Sequence, residues 1–121
     1  MANPNKIAGT CYVKVNAKVM TLGGTVTVSP SSVEREGKAG LSGVVGYVEK
    51  PRVPYIEVEA MTDPATKASD YDDITDATVT AELANGRVYI LRNAWSTAAS
   101  EINAAEGTFT KRFEGLSCDE I

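Results

Sequence analysis

A chain of 121 residues with 43% hydrophobic and 23% charged side chains is sized for one domain that buries its own core without disulfide or metal. Its net charge of −4 argues against a protein that grips nucleic acid or an anionic membrane through a broad basic face. The absence of histidine removes the usual general base, the hydrolytic triads and most transition-metal sites.

The start, MANPNKIAG, lacks the apolar run of a secretory leader, and no stretch is long and apolar enough for a transmembrane helix, so no membrane anchor is expected. Alternating small, polar and β-branched residues predict a strand from Gly9 to Val15, and Asn16-Ala17 a tight turn into Val19–Leu22. After Gly23-Gly24, Thr25, Thr27 and Ser29 alternate with Val26 and Val28, the period of a half-buried strand. An arm follows over about residues 31–52. Gly37, Gly40, Gly43 and Gly46 fall in it at intervals of three, among charges and before Pro51 and Pro54. Four glycines so placed argue against a helix or a well-packed strand, because glycine loses the most backbone freedom on ordering. Yet Val44, Val45, Tyr47 and Val48 are not linker residues, so the arm is expected to become ordered against another surface.

Beyond the arm, Ile56, Val58 and Ala60 alternate with Tyr55, Glu57 and Glu59, predicting one apolar and one polar strand face. A short helix is expected near residues 70–75, with Ser69 as N-cap and Asp70, Asp72 and Asp73 in its first turn, where the dipole favours anions. Strand alternation resumes over Ala77–Leu83, and Asn85-Gly86 predicts a hairpin into Arg87–Asn93. Trp95 to Ile102 suits a short helix or a strand, with Trp95 expected in the core. Glu106-Gly107 turns into Thr108–Gly115, where Phe109, Lys111 and Phe113 oppose Thr108, Thr110 and Arg112. The expected fold is mainly β: a β-sandwich or open barrel of about eight strands with one short helix, residues 1–121 forming a single domain. Cys11 and Cys118, far apart and in no metal-like spacing, are expected as reduced thiols of a cytoplasmic product; a bridge between the first and last strands is the alternative.

Charge is unevenly spread. Glu57 to Glu82 contains eight acids and only Lys67 as a base, a net of −7 that leaves +3 for the rest, so a strongly negative middle is expected. The DYDDITD run invites a calcium reading, but it lacks the glycine and distal glutamate of an EF-hand loop, and capping on a solvated face accounts for it better. Gly37-Lys38 fails the phosphate-loop spacing, since Ala39 follows the lysine. Glu57 and Glu59, about 7 Å apart on one strand face, have the separation of a glycosidase pair but no aromatic sugar platform beside them. No catalytic, cofactor-binding or metal site is assigned, and no cofactor.

Three segments, NKIAGTCYVKVNAK, VSPSSVEREGKAGLSGVVGYVEKPRVPYIE and ITDATVTAELANGRVYILRNAW, followed by the ending RFEGLSCDEI, carry a collinear likeness over practically the whole chain. In these the sequence resembles the Mu-like family of phage tail tube proteins. The resemblance implies no enzyme but a structural virion protein, assembled in the host bacterial cytoplasm. It implies homohexameric rings of identical copies, stacked into the inner tube of a contractile tail, with a sheet continuing from subunit to subunit around a lumen that conducts DNA during ejection. Sheath, tape measure, baseplate and tail terminator are the partners it implies.

Two expectations join that picture to the residues. Thr25, Thr27, Glu57, Glu59, Thr78, Thr80 and Glu82 are expected to include lumen-facing positions, because a negative wall repels phosphate and lets DNA slide without specific binding; the same acids would otherwise solubilise an outer face. In the arm, Arg35, Gly37, Gly40, Gly43, Val44, Val45, Gly46, Tyr47 and Arg52 are expected to meet a neighbouring subunit or ring, the glycines as hinges and the apolar residues as anchors. The rival from another class is a β-sandwich module of a phage particle that binds carbohydrate or a receptor, which would be expected to cluster exposed aromatics on its loops.

Overall fold

The computed structural model describes residues 11–16, 18–62, 64, 67–97 and 101–121. Eleven strands and one short helix lie within them. The expected beginning of the first strand at Gly9, the acid at Asp63 and the middle of the Trp95–Ile102 segment lie outside the described residues.

Alternation translates directly into strand faces. In β1 (Cys11–Val15), Val13 and Val15 are buried; in β6 (Tyr55–Met61), Ile56, Val58 and Ala60; in β7 (Ala77–Leu83), Ala77, Val79 and Ala81. In β10 (Thr108–Glu114), Phe109, Lys111 and Phe113 all point inward. A strand with period two presents such a face without help from its partner, which is why these segments were legible.

Nine strands form one sheet. Its main path runs β2 (Lys18–Val19), β1, β7, β8 (Val88–Ser96), β10, β6, β3 (Leu22–Ser29); β11 (Ser117–Glu120) pairs with β8, and β9 (Ile102–Asn103) with β10. The sheet turns through β8. Residues 88–91 of that strand pair with β7 and residues 89–92 with β11, whereas Trp95 and Ser96 pair with Glu114 and Phe113 of β10. Between the two stretches the register with β7 slips by one residue, and Asn93 takes a left-handed conformation with φ of 52°. Asparagine tolerates that region better than most residues, and a bulge bends and twists its strand. The side-chain amide of Asn93 donates to Asp76 Oδ1 at 3.0 Å, which holds the bend. Side chains from both halves then meet in one core: Val13, Val15, Val79, Ala81 and Leu91 from one, Ile56, Val58, Ala60, Phe109 and Phe113 from the other. The fold is mainly β with one short helix, as expected, its sheet bent around one core.

The helix α1 (Ala68–Asp72) starts earlier than expected. Lys67 occupies the N-cap position without a side-chain cap hydrogen bond, and Ser69 lies inside the helix. What holds α1 is packing: Tyr71 is buried, with its ring 6.2 Å from that of Phe109 and 6.3 Å from that of Phe113. Tertiary burial outweighs a missing cap in so short a helix. Beside it, the wholly buried Lys111 extends to the carboxylate of Asp72 in an ion pair. Trp95, expected in the core, is only half-buried at the β8–β10 crossing. β11 was not expected, since SCDE has no apolar alternation; it exists because the edge of β8 is available for pairing. Both cysteines are free thiols.

Candidate assembly surfaces

The arm is more regular than its glycines suggest. β4 (Val33–Gly40) and β5 (Gly43–Pro51) pair in antiparallel register from Val33↔Pro51 to Gly40↔Gly43. They prolong the β3–β6 pair, whose last rung is Ser29↔Tyr55, across an irregular joint at residues 30–32 and 52–54. The four glycines argue against a well-packed strand, and the strands they form pack on nothing: exposed strands lose little by lacking side chains. Every residue from 31 to 51 is exposed.

Most of its charges pair internally. Arg35 pairs with Glu49 at 3.1 Å and lies over the Tyr47 ring at 5.6 Å. Glu36 pairs with Lys50 at 2.7 Å and Lys38 at 3.3 Å, and these two ammonium groups hold its carboxyl below the usual range. Left without a partner surface are Leu41, Val44 (86% exposed), Val45 (79%) and Tyr47 (61%). An isolated two-stranded hairpin is marginal in water, and one that displays apolar side chains is a contact surface in waiting. Gly43 has φ of 120° at the turn, a backbone reason to be glycine. Gly37 has none: its φ is ordinary and no atom lies within 4 Å of where a Cβ would stand.

The second surface is the outer face of β3–β6–β10. Glu57 lies opposite both Thr27 and Arg112, and Glu59 opposite Thr110. Gly24 makes room for Glu59, since a Cβ there would stand 2.4 Å from its carboxylate oxygen. Arg112 lies 3.9 Å from Glu57, 3.2 Å from Glu114 and 3.7 Å from the Tyr55 ring centroid. Two carboxylates and an aromatic face therefore engage the one cation at the centre of this surface.

The model of the phage tail tube protein family matches residues 4–120. The chain belongs to that family. A relative, the Mu-like prophage FluMu tail tube protein of Haemophilus influenzae, is 28% identical over 113 residues, covering 93% of this chain and 94% of the relative. In fold, the tail tube subunit is similar to a chain solved in the sheath/tube terminator of an extracellular contractile injection system, with a TM-score of 0.69 at 14% identity, covering 98% of each chain. It is likewise similar to a chain of the sheath-tube complex of such a system, with a TM-score of 0.67 at 13% identity, covering 98% of this chain and 93% of that one. The family is structural rather than enzymatic.

The sequence-predicted positions of this tail tube subunit fall into two groups. Thr27, Glu57 and Glu59 share the outer face of β3–β6–β10, and Thr25 is exposed in the irregular stretch of β3. Thr78, Thr80 and Glu82 stand on the outer face of the other half, where Glu82 pairs with Lys14 at 3.3 Å and Thr80 lies opposite both Lys14 and Ile90. The two faces look away from a common core. Lys14, Thr110 and Arg112 share these faces and were missed, because alternation shows that a residue points outward without showing which strand lies next to it. The negative middle of the sequence is likewise partly neutralised: Asp72 by Lys111, Glu82 by Lys14, Glu57 by Arg112. Among the described residues no group of three or more His, Cys, Asp or Glu side chains is arranged to hold a metal. Burial pushes the thiols of Cys11 and Cys118 up in pKa, with Glu82 adding to the first and Asp119 and Glu120 to the second.

Proposed function

We propose that this tail tube subunit closes into homohexameric rings, that the rings stack into the inner tube of a contractile tail, and that the lumen conducts DNA during ejection. The observation that carries the reading is the arm: a hairpin exposed along its whole length, most of its charges paired internally and its apolar side chains uncovered, on a chain whose family is that of tail tube proteins. Such a hairpin gains stability only by docking, and in a tube the available partner is another copy. Arg35, Gly37, Gly40, Gly43, Val44, Val45, Gly46 and Tyr47 form this contact, with Gly37 as the point of closest approach.

The lumen wall in this reading is the outer face of β3–β6–β10. Among the described residues β3 ends the order of the sheet, and a neighbouring copy can continue the sheet from its outer edge. The face carries Glu57, Glu59 and Glu114 against Arg112, a net of two negative charges per copy that ring symmetry multiplies. A negative wall with its cation already engaged offers phosphate no site from which counterions are released. Thr78, Thr80 and Glu82 then face outward, next to the exposed Tyr12, on a surface suited to protein contact. Solved chains of similar fold come from assemblies named for sheath and tube terminator. Sheath and terminator are accordingly the outer and end partners here, with tape measure and baseplate completing the tail and the host cytoplasm as the site of assembly.

Electron microscopy of concentrated protein tests the assembly: rings or hollow rods are expected, and monomers at every concentration refute it. Single cysteines at Thr27 and Thr80, with Cys11→Ser and Cys118→Ser, test the lumen. In tubes, a bulky polymer-linked maleimide should modify T80C and not T27C. Modification of T27C with protection of T80C would reverse the assignment.

A further inference from the structure

Arg52 was expected among the residues that offer charge to a neighbour, yet its contacts turn inward. Its backbone amide donates to the Ser32 carbonyl at 2.9 Å, and its guanidinium Nη1 donates to the Ser31 carbonyl at 3.2 Å. Both acceptors lie on the other strand of the joint, so Arg52 ties the outgoing chain to the returning one where the regular ladder is interrupted. The guanidinium carbon also lies 5.8 Å from the centroid of the Tyr55 ring.

Tyr55 is well placed to serve as an anchor. It lies opposite Ser29 of β3 and Glu114 of β10, at the end of three paired strands of the body. Arg112 lies over the same ring at 3.7 Å and is itself engaged by Glu114 and Glu57. Next to it, Pro54 is buried and its carbonyl accepts from the Gly115 amide at 3.2 Å. The chain is thus held in the body at Pro54 and Tyr55, whereas residues 31–51 are exposed. Arg52 lies between the two regimes. Among the described residues it pairs with no carboxylate, so its contacts are those to Ser31, Ser32 and Tyr55.

We propose that Arg52 is the positioning residue of the arm: by joining the Ser31 carbonyl to the Tyr55–Arg112 stack it sets the angle at which the β4–β5 hairpin leaves the body. Regular pairing on both sides of a short irregular joint is a hinge geometry, and a hinge needs a contact that selects one angle. The consequence for assembly rests on the arm being the contact between copies. The positioning itself does not, because it is a property of the free subunit.

The test uses spin labels at L41C, on the hairpin tip, and T78C, on the body, with Cys11→Ser and Cys118→Ser. The distance distribution of the free subunit is measured by electron–electron double resonance. Arg52→Ala should broaden it about twofold relative to Arg52. Arg52→Lys keeps a cation and a donor and should restore most of the narrow distribution; Tyr55→Leu should broaden it as Arg52→Ala does. Melting should shift by no more than about 2 °C in Arg52→Ala, because the joint lies outside the core. Losing one hydrogen bond and one cation–π contact should raise the critical concentration for rod formation about tenfold. An unchanged distribution in Arg52→Ala overturns the proposal. A broadened distribution with unchanged assembly upholds the joint and refutes the arm as the contact between copies.

Discussion

Asp72→Asn should destabilise this protein far more than Lys111→Met, although both changes break the same ion pair. Lys111 is wholly buried, whereas the Asp72 side chain is 39% exposed. Removing the carboxylate withdraws a counter-charge from an ammonium that water cannot reach; removing the ammonium leaves a carboxylate that can rehydrate. Breaking a fully buried pair costs about 3–5 kcal/mol, and the exposed side of Asp72 discounts this to about 2 kcal/mol. Asp72 also ends α1, where a negative charge opposes the helix dipole, so its neutralisation returns a few tenths of a kcal/mol. For a chain of this length the net loss corresponds to a fall of roughly 6–10 °C in melting temperature. Lys111→Met replaces a buried stem with an apolar one of similar volume beside Tyr71, Phe109 and Phe113, and should stay within about 1 kcal/mol of the parent. The assay is thermal unfolding of the free subunit by circular dichroism, below the concentration at which it assembles. If Lys111→Met loses as much stability as Asp72→Asn, the asymmetry in burial is not what governs the pair and the reasoning fails.

Gly37→Val should leave the melt of the body unchanged and strengthen the hairpin by up to about 1 kcal/mol, since nothing in the chain crowds the position. It should raise the critical concentration for assembly by more than about tenfold, measured by sedimentation, if a neighbour approaches there. Glu36 has its pKa lowered by Lys50 and Lys38, so its support of the hairpin is present at neutral pH and is lost as pH falls through the carboxylate range, below about pH 4. Amide exchange in residues 33–51 should therefore quicken on acidification and, because the pairs are exposed, with added salt; rates indifferent to both would contradict this. Cys11 and Cys118 have raised pKa values, so their thiolate fraction at neutral pH is small and a disulfide reagent should modify the folded subunit several-fold more slowly than free cysteine.

The lumen and arm assignments separate according to the distance over which their information lies. Ile56–Glu57–Val58–Glu59–Ala60 states its own inside and outside, and so does Phe109–Thr110–Lys111–Arg112–Phe113, because two-residue alternation is a local property. The arm's unusual apolar content was legible in its valines and Tyr47. Its regular hairpin was not, since an exposed strand needs pairing rather than packing and the glycines hide the pattern. That Thr25 and Thr80 lie on different halves of the sheet was hidden for a related reason. Both are outward on their strands, but β8 bends the sheet so that their faces look opposite ways.

The order of residues alone determined that the chain is mainly β, which side chains of each strand turn inward, and that no histidine-based chemistry is available. Tertiary structure decided which strands are neighbours, and with that which charges meet. Lys14 finds Glu82 across 68 residues and Lys111 finds Asp72 across 39, separations at which no sequence periodicity survives. Inward and outward are set by neighbours along the backbone, whereas partners across a sheet are set by how the chain returns on itself.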